Sequence, residues 1–375
     1  MNLSPARLQK QVTRLHRLFP ALAEVSIELT SLQGAPFEAI SEVIAGAWQR
    51  TYGDRIRIDY SPEFLQYCTG SNPSSGIVLT AYAGGQVQGV VLGFPVDLQY
   101  QHREISSVLT TGLCVTEAWE HGGLLELLMV QYGLALNDRG ITCAFHWRSA
   151  KDTNVRSAGK RLAQASLVRL FAKALHVRRA GLHAKMSRWE QWGLLAFTTF
   201  YAVTQGRTRL PASYQFRPFE AQDADAGAAF LKEIAPEGNL TLPVSSEQLL
   251  WNCTYAEGDI RASGWIVIRE GRVCALAWGY CNPVPGGDAY FLLDRVAFLP
   301  SFDLSAQRAF ITQVENAIRE QFDCFAVLLL ESVCSAPLEK MGYHSVKTYH
   351  FGASDMGVDP PLTASDLIGL PLSLR

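Results

Sequence analysis

The stretch Ser106–Leu136, SSVLTTGLCVTEAWEHGGLLELLMVQYGLAL, decides the fold. Its first part, Val108–Thr116, is rich in β-branched residues and short enough for a buried strand. Gly112 interrupts that strand, and an internal glycine marks a bulge or a close backbone approach. Glu117–Gly123 is a connector ending in Gly122-Gly123. From Leu124 the apolar residues recur at helical spacing: Leu124, Leu125, Leu127, Leu128, Val130 and Leu134. A bulged strand can turn backbone N–H groups outward, where they polarise a thioester carbonyl. The helix start beyond it offers free N–H groups and a positive dipole end, which suit a pyrophosphate. An ordinary β-α unit is the plain alternative.

On the N-terminal side, Gly76–Tyr82 and Val87–Asp97 flank Ala83-Gly84-Gly85-Gln86 and read as a β-hairpin. Ser61 is placed to cap a helix beginning at Pro62, and Phe37–Tyr52 is a helical pattern. Residues 3–20 set Leu8, Val12, Leu15 and Phe19 on one helical face, with Arg7, Lys10, Arg14 and Arg17 around it. That is a solvated amphipathic helix or a docking face for an acidic partner.

On the C-terminal side, Ile141–Trp147 reads as the next strand. Residues 148–188 then hold eleven Lys and Arg against the single acid Asp152, which reads as a solvated helical face or as a surface attracting acids or phosphates. Residues 189–203, WEQWGLLAFTTFYAV, are expected to be buried or to line a pocket, and are too short to span a bilayer. From Arg209 the order of helices, hairpin, long strand, helix and strand repeats. Two copies of one α/β unit are expected, with a division into 1–205 and 206–375.

Composition agrees with a folded chain of two ordinary units: 375 residues, 48% hydrophobic and 18% charged. A net charge of −2 gives no global pull toward nucleic acid or anionic membrane. The eight cysteines include no CxxC pair and no histidine at ligand spacing. They read as reduced thiols of a cytoplasmic protein with no metal site. No signal peptide or membrane-spanning run is expected.

Hairpin, bulged strand and glycine-turn helix, taken together, resemble the GNAT acyltransferase fold, and two copies resemble a tandem GNAT. Asp59-Tyr60-Ser61-Pro62-Glu63-Phe64-Leu65 matches the D-Y-S-P-E-F-L motif of protein N-myristoyltransferases. The resemblance extends through Gly89–Pro95 and Leu113-Cys114-Val115 to Phe322-Asp323 and Leu338-Glu339-Lys340, from about residue 40 onward. It implies an α/β fold of two tandem GNAT halves, the first binding the acyl donor and the second lying on the acceptor side.

By position, the resemblance implies an oxyanion hole at the backbone amides of Gly112 and Leu113, with Thr111 beside it. The amine attacks the thioester directly, so Cys114 is structural. The donor, an acyl-phosphopantetheine thioester and not a covalently bound cofactor, would run along Val115, Gly122, Gly123, Leu124 and Leu125. Ile56, Ile58, Tyr60, His146 and Trp147 would shape the acceptor pocket. The C-terminal carboxylate, on Arg375, is the implied base.

One departure bears on the donor. Where the family has a basic run that clamps the phosphates of CoA, this chain reads Glu117–Glu126 without a Lys or Arg, and Glu120 and Glu126 would repel pyrophosphate. With the basic stretch 148–188, that favours an acidic acyl carrier protein over acyl-CoA, docking on Arg169, Lys173, Arg178 and Arg179. The expected function is therefore N-acyl transfer of a fatty or polyketide-type chain to a peptide N-terminus or other amine, in bacterial lipopeptide or natural-product assembly. The alternatives are an aminoacyl-tRNA-dependent tandem-GNAT ligase, and a non-catalytic acyl- or peptide-binding module.

Overall fold

A computed structural model describes residues 4–52, 60–72, 74, 76–100, 103–149, 165–176, 179, 187–193, 195–196, 209–235, 240–284, 288–334, 337–355, 358, 367 and 370. Among the described residues the first half carries α1 (Pro5–Leu18), α2 (Phe37–Tyr52), α3 (Pro62–Cys68) and α4 (Leu124–Asp138), with a short helical stretch at 188–193. Its strands are β1 (Ser26–Thr30), β2 (Ile77–Ala83), β3 (Gln86–Tyr100), β4 (Arg103–Val115), β5 (Cys143–Ser149) and β6 (Ala165–Ala174). The second half follows with β7 (Gln215–Pro218), α5 (Ala224–Glu233), α6 (Ser246–Thr254), β8 (Ala256–Glu257), β9 (Ile260–Arg269), β10 (Arg272–Val284) and β11 (Asp288–Phe298). α7 (Leu304–Gln321), β12 (Cys324–Leu330) and β13 (His344–Asp355) complete it.

Local chemistry accounts for the joints. Gly84 and Gly85, with φ of 59° and 76°, make the two-residue turn between β2 and β3, the turn whose twist matches paired strands. Ser61 Oγ accepts from the Phe64 amide at 3.2 Å and starts α3 at Pro62. Asp303 caps α7 in the same way, accepting from the Ala306 amide at 2.8 Å.

The strands form one sheet in the order β1-β2-β3-β4-β5-β13-β6-β12-β11-β10-β9-β7, with β8 paired to β9. On either side of the β13·β6 pair the order is mirrored. The parallel pairs β4·β5 and β11·β12 occupy matching places, and their neighbours are antiparallel. The halves exchange their last strands: β13 lies between β5 and β6, and β6 between β13 and β12. A single core runs through both halves and includes Tyr60, Phe145, Trp265, Phe310 and Phe351. A smaller core lies under α1 and α4.

β6 corrects the reading of the basic stretch. Val168, Leu170 and Phe171 are buried while Arg169 is exposed, so Arg169 and Lys173 are strand residues and not part of a helical face, whereas the cations at 151–161, 178 and 185 lie outside the described residues. The expectation for residues 189–203 is corrected at its described start, while residues 194 and 197–203 lie outside the described residues. In the short helix 188–193, Trp189 and Trp192 are exposed rather than buried.

Candidate active site

In the β3·β4 ladder Val90 faces Cys114 and Leu92 faces Thr111, so Val91 alone spans both Gly112 and Leu113. This is a bulge, and the extra residue drops out of the ladder's hydrogen bonding. Gly112 has φ of 61°, a left-handed conformation that a side chain makes costly. Beside the bulge the parallel β4·β5 pairing runs from Ser107–Cys143 to Thr110–His146, with no register pair beyond. The last residues of β4 thus border an opening in the sheet. A cleft of about 200 Å³ lies there, between Ala47, Trp48 and Thr51 of α2, Leu113–Val115 of β4, Glu120 of the connector and Leu125 of α4.

Tyr60 packs edge-on against Trp48 and Phe64, and its hydroxyl meets Thr111 Oγ1 at 3.1 Å. Burial pushes the Tyr60 phenol far above its ordinary range, so it is a hydrogen-bonding partner of Thr111 and not a base. The Cys114 thiol lines the cleft, and burial raises it to about 11 against a smaller lowering from its hydrogen bond with Trp48. It stays protonated at neutral pH.

The sequence reading missed Arg50, at the last turn of α2. Its Nε donates to Glu120 Oε1 at 2.7 Å and its Nη2 to the Val115 carbonyl at 2.9 Å. One guanidinium therefore fastens the end of β4 to the connector and corrects the expectation that Glu120 faces a donor as an uncompensated charge. No spacing rule joins residues 50 and 120; only the fold does. Beyond the connector, α4 starts at Gly123, with φ of 74° and no capping side chain. Phe19 covers this turn so closely that a Cβ on Gly123 would sit 2.4 Å from its ring, and Trp119 lies against Gly122. Leu124 is buried and Leu125 faces the cleft.

His146 and Trp147 point to opposite faces of β5, as successive strand residues must. Trp147 packs against Phe351 at the main core, their ring centroids 4.5 Å apart and tilted by 38°, whereas the His146 ring lies over Gly352 on the other face. They cannot line one pocket wall together. Leu367 and Leu370 are buried in the same main core as Tyr60 and Phe351. Ile56, Ile58, Arg178 and Arg375 lie outside the described residues.

The cations expected to receive a carrier protein have carboxylate partners from the second half. Arg169 pairs with Glu331 and Glu339 at 2.6 and 2.8 Å, Lys173 with Glu315 at 2.7 Å, and Arg179 with Asp323 at 2.5 Å. The local surplus of charge read from the sequence is thereby largely cancelled at these three positions.

The matching place in the second half is built differently. β11 has its own irregularity at Asp294, opposite Trp278 and Gly279. The Tyr67 hydroxyl of α3 donates to Asp294 Oδ2 at 3.1 Å. Past the last β11·β12 register pair a bridge from Val296 to Cys334 brings the chains together again. The start of α7 carries the Asp303 carboxylate, which occupies the place an anion would take. Among the described residues no group of His, Cys, Asp and Glu could hold a metal ion.

No protein-family model and no curated protein matches the sequence. Solved structures do match. N-myristoyltransferase of Saccharomyces cerevisiae with bound myristoyl-CoA is similar at a TM-score of 0.65 and 12% identity, over 94% of this chain and 85% of that one. The same yeast enzyme with myristoyl-CoA and inhibitors gives 0.66 and 13%, over 94% and 87%. A GCN5-related N-acetyltransferase from Anabaena variabilis gives 0.52 and 10%, over 88% and 73%. The fold is thus that of an N-myristoyltransferase-like tandem GNAT protein.

Proposed function

We propose that this protein is an N-acyltransferase that passes a long acyl chain from a phosphopantetheine thioester to an amine, at the cleft beside Gly112. The observation that carries the reading is the asymmetry of the two halves. The first keeps a bulge, an opening between parallel strands and an uncapped helix start in one place, whereas at the equivalent places the second has the Tyr67–Asp294 hydrogen bond, the Val296–Cys334 bridge and the Asp303 cap. The yeast structures with bound myristoyl-CoA, which share this fold, support a long acyl group.

In this reading the thioester carbonyl oxygen lies at the Gly112 and Leu113 amides, which stabilise the charge that develops as the amine attacks. The C–N bond forms at the carbonyl, the tetrahedral intermediate collapses with cleavage of the C–S bond, and the second amine proton passes to the departing sulfur, which leaves as the free thiol. The ammonium, with an ordinary pKa of about 8, must first give up a proton. The C-terminal carboxylate takes that role, with Leu367 and Leu370 anchoring the tail in the core. Residues 1–205 carry the donor and 206–375 the acceptor side. The acceptor is a peptide N-terminus or a small amine of lipopeptide assembly, and the donor is acyl-CoA or an acyl carrier protein. The protein works in the cytoplasm.

The test uses myristoyl-CoA, a myristoyl carrier protein and a short myristoyl-pantetheine thioester, each with a mixture of glycine-initiated peptides. Amide formation by the protein, abolished on heating, is expected with at least one donor. Thioester binding without amide product would overturn the reading in favour of a binding module.

A further inference from the structure

Helix α1 lies antiparallel on α4 and turns a charged face outward. Leu8 packs beside Gly133, in the second half of α4, and Phe19, at the other end of α1, covers Gly123 at the start of α4. Leu8 and Val12 are buried and Leu15 is half-buried, so the apolar stripe of the helix is turned onto α4. Arg7, Lys10, Arg14 and Arg17 recur every three or four residues on the other side, and all four are exposed. α1 carries no acidic residue. Among the described residues none of these cations has a carboxylate partner. The pairing that cancels Arg169, Lys173 and Arg179 is missing here. Like charges at this spacing oppose a helix rather than support it.

Its place counts as much as its sign. Arg17 is two residues from Phe19, and Gly123 beneath Phe19 is two residues from Leu125, which lines the cleft. The charged face thus begins beside the cleft and runs back to Arg7, about 15 Å away at the rise of an α-helix. Cations strung out in this way do not converge on one phosphate group. They match a row of carboxylates on another protein. A lipid surface would take an apolar stripe, whereas that of α1 faces α4 and leaves Leu18 as its large exposed apolar side chain. A second copy of the same face would be repelled.

We propose that α1 is the docking face for an acidic acyl carrier protein, whose acyl-phosphopantetheine arm enters the cleft past Phe19. The proposal rests on the acyl-transfer reading for the nature of the donor, and it places docking on α1 instead of on Arg169, Lys173 and Arg179. A donor held through its protein needs no phosphate clamp in Glu117–Glu126, where there is no Lys or Arg.

Fluorescence anisotropy of a labelled holo acyl carrier protein of fatty-acid synthesis, with no acyl group and no amine, measures docking without chemistry. Its outcome is therefore separable from that of the acyl-transfer assay. The full chain is expected to bind this probe at low salt and progressively more weakly as salt is added. Lys10→Glu with Arg14→Glu and Arg17→Glu should raise Kd by about tenfold or more, with helix content unchanged by circular dichroism. The milder pair Arg14→Gln and Arg17→Gln, which keeps good helix formers in place, should raise it by about threefold. In the transfer assay, the ratio of kcat/KM for the myristoyl carrier protein to that for myristoyl-pantetheine should fall in parallel with the loss of binding. The proposal is overturned if the wild type does not bind the carrier at low salt, or if both variants bind it as tightly as the wild type. Tighter binding of the wild type to phosphatidylglycerol vesicles or duplex RNA than to the carrier, lost on charge reversal, would also overturn it.

Discussion

Gly112 combines a φ of 61° with neighbours on two sides, since a Cβ there would sit 3.1 Å from Ile44 Cδ1 and 3.2 Å from Leu92 Cδ1. Gly112→Val should therefore cost about 1–2 kcal/mol for the left-handed conformation alone, measured by urea denaturation. If the bulge amides hold the oxyanion, kcat should also fall by about two to three orders of magnitude. Cys114 makes the opposite prediction. With its thiol near 11, it should alkylate slowly with iodoacetamide at pH 8 and faster as pH rises toward 11, because thiolate accumulates through that pKa. Cys114→Ser should keep most activity. An acyl group trapped on Cys114 in the wild type would instead establish a two-step route.

At the scale of elements, the part legible in the sequence is local. The glycine turn between β2 and β3, the Ser61 cap, the interruption at Gly112 and the start of α4 each follow from residues within a few positions of one another. What could not be read depends on partners far along the chain. β6 hid among cations because its alternation of core and surface residues was outweighed by a count of charge, and the carboxylates that neutralise Arg169 and Lys173 lie more than a hundred residues away. Arg50 was missed for the same reason. Its pairing with Glu120 is partly exposed, so it contributes less than about 1 kcal/mol to stability. Its value is in holding α2, β4 and the connector together around the cleft. Arg50→Met should raise KM for the donor several-fold with a melting temperature nearly unchanged, and Glu120→Gln in that background should add little further loss. A large fall in kcat at constant KM would put Arg50 in the chemical step instead.

At the scale of the molecule, α3 binds the halves to each other. Besides Tyr67 and Asp294, the Trp251 indole donates to the Tyr67 carbonyl at 3.0 Å and the Tyr255 hydroxyl to the Glu63 carbonyl at 3.1 Å. Tyr67→Phe would leave a buried Asp294 oxygen without its phenol and should cost about 1–3 kcal/mol. Because the core is shared and the last strands are exchanged, heat or urea should unfold the protein in one transition, in the variant as in the wild type. Two separated transitions, read by near- and far-ultraviolet circular dichroism, would contradict the shared core. A chain ending at residue 205 should not fold, since β6 would lose both of its sheet neighbours.

The exchange of strands also sets an order of events during synthesis. Until residues 324–330 and 344–355 have left the ribosome, β6 has neither β12 nor β13 beside it, and β5 lacks its neighbour on the same side. Until then the nascent chain displays open strand edges next to apolar residues, the form most prone to pair with the wrong chain. The cleft at Gly112 is encoded between residues 47 and 125, but the sheet around it closes only once the chain through residue 355 exists. Slow release from the ribosome, or a shortage of chaperones that shield such edges, should lower the yield of soluble protein without changing the activity of each molecule that folds.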